Sequence, residues 1–104
     1  MTKLDDLIQQ IEAEAEAEGP GAVAEYHQLR TRFRLAHELR AARLEKGLTQ
    51  TELAQLTEIG QPEISKIESG DSNPTVSTLD VLFAALDLDL YALRPAQVEA
   101  LATA

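Results

Sequence analysis

Apolar residues recur along this chain with the spacing of one helix face after another. Leu4, Leu7, Ile8, Ile11 and Ala15 follow the i, i+3, i+4, i+7 rule of an amphipathic helix, with Thr2 and Asp5 placed to open it. Asp6, Glu12, Glu14, Glu16 and Glu18 form the other face. Glu12–Glu16 and Glu14–Glu18 set like charges four apart, and acids sit poorly at a helix C-terminus, so the last turn is read as weak. Gly19-Pro20-Gly21 ends the helix and reads as a hinge. The pattern resumes at Ala22 and continues through Val23, Tyr26, Leu29 and Phe33. It predicts a helix able to run straight into the next one, residues 35–46, whose inner face is Leu35, Leu39, Ala42 and Arg43 and whose stop is Gly47.

Residues 48–70 read LTQTELAQLTEIGQPEISKIESG. Thr49 followed three positions on by Glu52 is a capping box, which starts a helix carrying Leu53, Ala54 and Leu56. Residues 57–60 lack an apolar period and contain glycine, so they form a short turn. A further helix begins near Gln61, where Pro62 is tolerated because first-turn amides have no intrahelical acceptor. Ile64 and Ile67 face inward; Gln61, Glu63, Ser65 and Lys66 face out; Gly70 closes the helix. Two short helices across a tight turn, the second offering long polar side chains to water, constitute a helix-turn-helix. Residues 71–74 are loop, and Thr75 or Ser77 caps a last helix with Val76, Leu79, Leu82, Phe83 and Leu86 inside.

One segment has a different period. Leu86, Leu88 and Leu90 alternate with Asp87 and Asp89, as in a strand. A lone strand needs an edge from elsewhere, and the cheapest source is the same strand of a second copy across a two-fold axis. Leu88, Leu90 and Leu93 are the expected dimer-interface residues; residues 95–104 read as a short helix or frayed end.

Charge sharpens this picture. The 104 residues carry a formal net charge of −9, which taken whole argues against a nucleic-acid binder. Its distribution does not. Residues 1–29 hold one base against seven acids, residues 30–70 seven bases against six acids, and residues 71–104 one base against five acids. Positive charge therefore collects around the helix-turn-helix, a small phosphate footprint that favours dimeric binding. A chain of this size buries a modest core. The absence of cysteine removes disulfides and thiolate metal sites. His27 and His37 stand ten apart with no ligand pattern, so no metal or cofactor is expected. No apolar run approaches the roughly 20 residues of a membrane span, and no signal core is present, which fits a cytoplasmic protein. Nothing resembles a nucleophile elbow, phosphate loop or catalytic dyad, so an enzyme is not expected.

Leu39-Arg40, Arg43, Gly47-Leu48-Thr49-Gln50, Glu52-Leu53-Ala54, Gln61, Ile64-Ser65-Lys66-Ile67-Glu68, Gly70, Asn73-Pro74 and Thr78-Leu79 together resemble the lambda-repressor/Cro-type (XRE-type) DNA-binding domain. The resemblance covers residues 35–86. It departs from the family where Thr57-Glu58 occupies the turn in place of Leu-Gly, and where Gly60 replaces a Ser or Thr cap. It implies an all-α, five-helix-type lambda-repressor-like domain with base-reading residues Gln61, Pro62, Ser65 and Lys66. Thr49 and Gln50 lie toward the phosphates, with Asn73 and Thr75 beside them. Glu63 either accepts from cytosine or repels phosphate. Arg43 and Glu68 correspond to an internal ion pair.

The N-terminal arm, the segment from Gln61 to Ser65 and the passage into a C-terminal strand also resemble HigA-type antitoxins of type II toxin–antitoxin pairs. HipB-type antitoxins, which pair with a kinase-like toxin, share the last feature. The narrower resemblance implies a homodimer that represses its own operon on a palindromic operator and neutralises a small, basic, mRNA-cleaving toxin of HigB/RelE type. Residues 1–34 are then a toxin-binding arm working through Leu4, Leu7, Ile8, Ile11 and Tyr26. Residues 35–86 are the DNA-binding domain and residues 87–104 the dimerising strand and tail. The alternative is a stand-alone dimeric repressor whose arm packs on its own domain.

Overall fold

Gly19 and Pro20 decide where the first helix ends and the second begins. In the computed structural model, which describes residues 3–92 and 94, α1 (Lys3–Glu18) stops at Gly19, and α2 (Pro20–Glu45) starts one residue later. Gly19 takes φ +114°, a region closed to most side chains, and Pro20 sits in the first turn, where its missing N–H costs nothing. The triplet is therefore a one-residue reversal and not a hinge. Gly19 N–H still reaches the Ala15 carbonyl, and Val23 N–H the Gly19 carbonyl, both at 3.1 Å, so the helical bonding of α1 and of α2 meets at Gly19. The last turn of α1 forms despite its repelling glutamates because Ala15 is buried there.

The reversal lays α1 back along α2. Glu12 meets Tyr26 and Asp5 meets Arg34, pairings that step in opposite directions, so the two helices run antiparallel. Ile8, Ala15 and Tyr26 make a small buried cluster, with Leu4, Ile11 and Ala22 against it. The Tyr26 hydroxyl donates to Glu12 at 3.2 Å, and the Arg30 guanidinium lies 5.7 Å from the Tyr26 ring centre. Burial first, and the Glu12 carboxylate second, hold the phenol above its ordinary pKa.

Over 26 residues α2 is uninterrupted, so the position 34/35, expected as an arm boundary, falls inside one helix. Its C-terminal half packs with α3 (Gln50–Thr57), α4 (Gln61–Ser69) and α5 (Val76–Leu86) around a second, larger core. Leu53, Ile64 and Leu82 are its most deeply buried side chains. Leu39, Ala42 and Arg43 face inward as the periodicity requires, with Leu35 at the margin. Val76 does not: it is 65 % exposed, at the exposed start of α5 beside Thr75, the cap, and Ser77. Leu56, on α3, also faces water.

No strand occurs among the described residues. Leu86 closes α5, Asp87 caps it at φ 55°, and Leu88 N–H returns to the Phe83 carbonyl at 2.9 Å. The Leu88 side chain also rejoins the core. A helix C-cap thus consumes the start of the alternating segment, and residues 89–92 find no strand edge to pair with among the described residues. Leu90 is exposed, and Leu93 and residues 95–104 lie outside the described residues. No described helix is long and apolar enough to cross a membrane.

Two left-handed positions give opposite predictions. Glu58 caps α3 at φ 60°, where a side chain is strained. Gly70 caps α4 at φ +79°, and an added Cβ would meet the Phe33 ring of α2 at 2.8 Å. Glu58→Gly is expected to raise stability by about 0.5–1 kcal/mol and Gly70→Ala to lower it by about 1–3 kcal/mol. Urea denaturation of the two variants checks both signs.

Candidate nucleic-acid interface

The interface is assembled from α3, α4 and the polar groups that fix one to the other. Thr49 and Glu52 form the expected capping box: Glu52 N–H donates to Thr49 Oγ1 at 3.0 Å and Thr49 N–H to Glu52 Oε1 at 3.1 Å. That cap sets the first residue of α3 at Gln50. After the Glu58 reversal, Gly60 supplies the extended residue before α4 and no side-chain cap, so Gln61 and Pro62 open α4 as its first two residues. Ile64 and Ile67 lock the helix to the core, which leaves Gln61, Pro62, Ser65 and Lys66 along one outward ridge. Pro62 and Lys66 are exposed, whereas Gln61 and Ser65 are half-buried.

Beneath the ridge lies a buried ion pair. Arg43 donates from Nε to Glu68 Oε2 at 2.7 Å and from Nη2 to Oε1 at 2.9 Å, and its Nη1 reaches the Leu48 carbonyl at 2.7 Å. Both side chains are under a tenth exposed. The hydrogen bonds to Glu68 hold the guanidinium further above its ordinary pKa, against the opposing effect of burial. From Glu68 the network continues outward. Gln50 Nε2 donates to Glu68 Oε1 at 3.4 Å, and Gln61 Nε2 donates to Gln50 Oε1 at 2.9 Å. Gln61 keeps its carbonyl oxygen and a second N–H for an outside ligand, and Gln50 keeps one N–H.

Sequence alone presents Gln50 and Gln61 as separate contacts. Their mutual bond joins residues eleven apart on different helices, and no local pattern signals it. The Glu63 ambiguity narrows: Ser72 Oγ donates to Glu63 Oε1 at 2.9 Å, so the carboxylate is held by the following loop. Asn73 and Thr75 are exposed on that loop, and Thr75 Oγ1 is engaged as the cap of α5, accepting from Thr78 N–H at 3.1 Å. Of the arm residues, Ile8 and Tyr26 are buried within the α1–α2 hairpin, Leu4 and Ile11 pack against them, and Leu7 is half exposed.

The helix-turn-helix family model HTH_3 matches residues 39–93, from the last two turns of α2 to beyond α5. This chain belongs to the helix-turn-helix family HTH_3. An uncharacterised HTH-type transcriptional regulator of Haemophilus influenzae is 40 % identical over 55 residues, which is 53 % of this chain and 56 % of that protein. The crystal structure of an HTH_3 family transcriptional regulator from Vibrio cholerae superposes with a TM-score of 0.57 at 29 % identity, covering 60 % of this chain and 35 % of that one. The chain therefore spans about half the length of the curated relative it matches. Within the HTH_3 unit, α3 and α4 are the two helices of the motif and α4 the outward one.

Removing Glu68 would strand the Arg43 guanidinium in the core. Glu68→Ala is expected to cost about 3–5 kcal/mol. Replacing Arg43 and Glu68 together by methionine and leucine should cost far less, and denaturant titration of both variants measures the difference.

Proposed function

We propose that the chain is a transcription regulator that binds DNA as a symmetric dimer and places α4 in the major groove. The observation that carries this reading is the Gln61 side chain, offered at the start of an outward helix and tied through Gln50 to a buried ion pair. A side-chain amide fixed in this way can pair with an adenine edge, and fixing it beforehand lowers the ordering cost of binding. Lys66 and Ser65 follow on the same ridge, while Gln50, Asn73 and Thr75 lie where a phosphate backbone would run. Its action is binding and not catalysis.

Two copies are needed to give such a small basic footprint sufficient hold. Val81, Leu90 and Tyr91 are exposed apolar residues on and after α5, and covering them supports a two-fold pair whose reading helices stand about 34 Å apart. In this arrangement the segment after α5 meets its counterpart across the two-fold axis, with Leu90 at the contact.

The finer role is that of a HigA-type antitoxin and autorepressor. It is supported by an α1 whose outer face is acidic (Glu14, Glu16 and Glu18 are exposed) and by an α1–α2 cluster distinct from the DNA-binding core. A basic toxin would meet the acidic face and Leu7 first, and would reach Ile8, Ile11 and Tyr26 only by parting α1 from α2. Co-purification of a small basic protein from the native host supports this role. Isolation of the dimer alone from that host, with α1 resistant to protease, leaves a stand-alone regulator.

Gln61→Ala is expected to cost about 1–3 kcal/mol of DNA affinity and to relax preference at one base. A footprint of unchanged strength and sequence would overturn the placement of α4. Leu90→Asp should yield monomers in sedimentation; a persistent dimer would refute pairing through the C-terminal segment.

A further inference from the structure

The N-terminal half of α2 lies outside the residues matched by the family model, and it carries a groove of its own. His27, Gln28, Thr31 and Arg32 from α2, with Asn73 from the loop between α4 and α5, line an open groove of about 430 Å³. His27 and Thr31, like Gln28 and Arg32, stand four apart and so form two adjacent rows on one side of the helix. Thr31 Oγ1 donates to the His27 carbonyl at 3.1 Å, which fixes that hydroxyl with its lone pairs turned from its own helix. No carboxylate lines the groove.

The arginines of α2 divide sharply by partner. Arg30 lies over the Tyr26 ring, Arg34 pairs with Asp5 and Arg43 is bound to Glu68. Arg32 and Arg40 make no side-chain hydrogen bond or ion pair among the described residues, and of these two only Arg32, half-buried, lines the groove. Gln28 and Asn73 add side-chain amide donors beside it. A planar guanidinium flanked by neutral donors, with no acid opposite, is suited to a phosphate diester.

Resting on the reading of α4 as the base-reading helix, we propose that this groove seats the DNA backbone flanking the α4 site. Arg32 pairs with a phosphate there, and Gln28 and Asn73 donate to its oxygens. Position favours backbone DNA over a free anion. Asn73 belongs to the loop that follows α4, so a strand passing along that loop continues into the groove. The groove is also open to water, unlike a cage for a small ion. The long α2 thereby extends the footprint beyond the motif.

The test uses the full chain and duplexes it selects from a random-sequence library, each prepared with short and long flanks. Long flanks should bind more tightly than short ones, and hydroxyl-radical protection should reach past the α4 contacts. Arg32→Ala, and Arg32→Gln, which keeps more of the side chain, should weaken binding roughly two- to fivefold for each subunit engaged. They should also lower the slope of log affinity against log salt by about 1 per subunit, and erase the flank protection while base preference stays. Gln61→Ala does the converse. Unchanged slope and flank protection in both Arg32 variants would overturn this inference and leave the reading of α4 intact. Failure of the wild type to enrich any sequence would overturn the reading itself. Chemical-shift changes at Arg32 with millimolar inorganic phosphate, combined with unaltered DNA binding by Arg32→Ala, would make this a free-anion site and likewise refute the backbone assignment.

Discussion

The Arg43–Glu68 pair is the constraint on which the outward surface depends. It joins α2 to α4, takes the Leu48 carbonyl of the intervening loop as a third partner, and supports Gln50 at the head of α3. Three helices and a loop are thus referred to one guanidinium. A buried ion pair gains little stability over apolar residues of similar size, since desolvation cancels much of the attraction. What the pair supplies is direction. Its bidentate geometry admits one rotation of α4 about its axis, and an error there would pull Gln61 away from its partner Gln50.

Two cores of unequal size share α2. The larger, around Leu53, Ile64 and Leu82, holds the helix-turn-helix; the smaller, around Ile8, Ala15 and Tyr26, holds α1. Three buried side chains are few for two helices of this length, and the polar contacts Tyr26–Glu12 and Arg34–Asp5 finish the seam. Local opening draws on the least buried parts of a protein. Here α1 contributes only to the smaller cluster, and the larger core is built without it.

Much of this is legible from the residues because it is written locally. The capping box at Thr49 and Glu52, Pro62 in the first turn of α4, Gly70 as its stop and the inward positions of α5 each depend on neighbours within four positions, apart from Val76 at the exposed start of that helix. The ion pair between Arg43 and Glu68 is read through a family resemblance, not from spacing. What sequence does not disclose is tertiary. The apolar stripe of α1 could not announce that α2 would cover it, nor could Gln50 and Gln61 declare their bond. The alternation of leucine and aspartate after position 86 reads as a strand only until Asp87 is seen to cap a helix, which is a matter of backbone conformation. Within the candidate site, the residue types are readable; the brace beneath them is not.

An unbroken α2 has a geometric consequence. Each residue advances a helix by about 1.5 Å and turns it by about 100°, so the bearing of α1 around the HTH_3 unit is set by the number of residues between Tyr26 and Leu39. One residue gained or lost there would carry α1 to another quadrant while leaving both clusters chemically whole. Outward side chains of that helix beyond the groove can change without moving α1, but the length of the helix cannot.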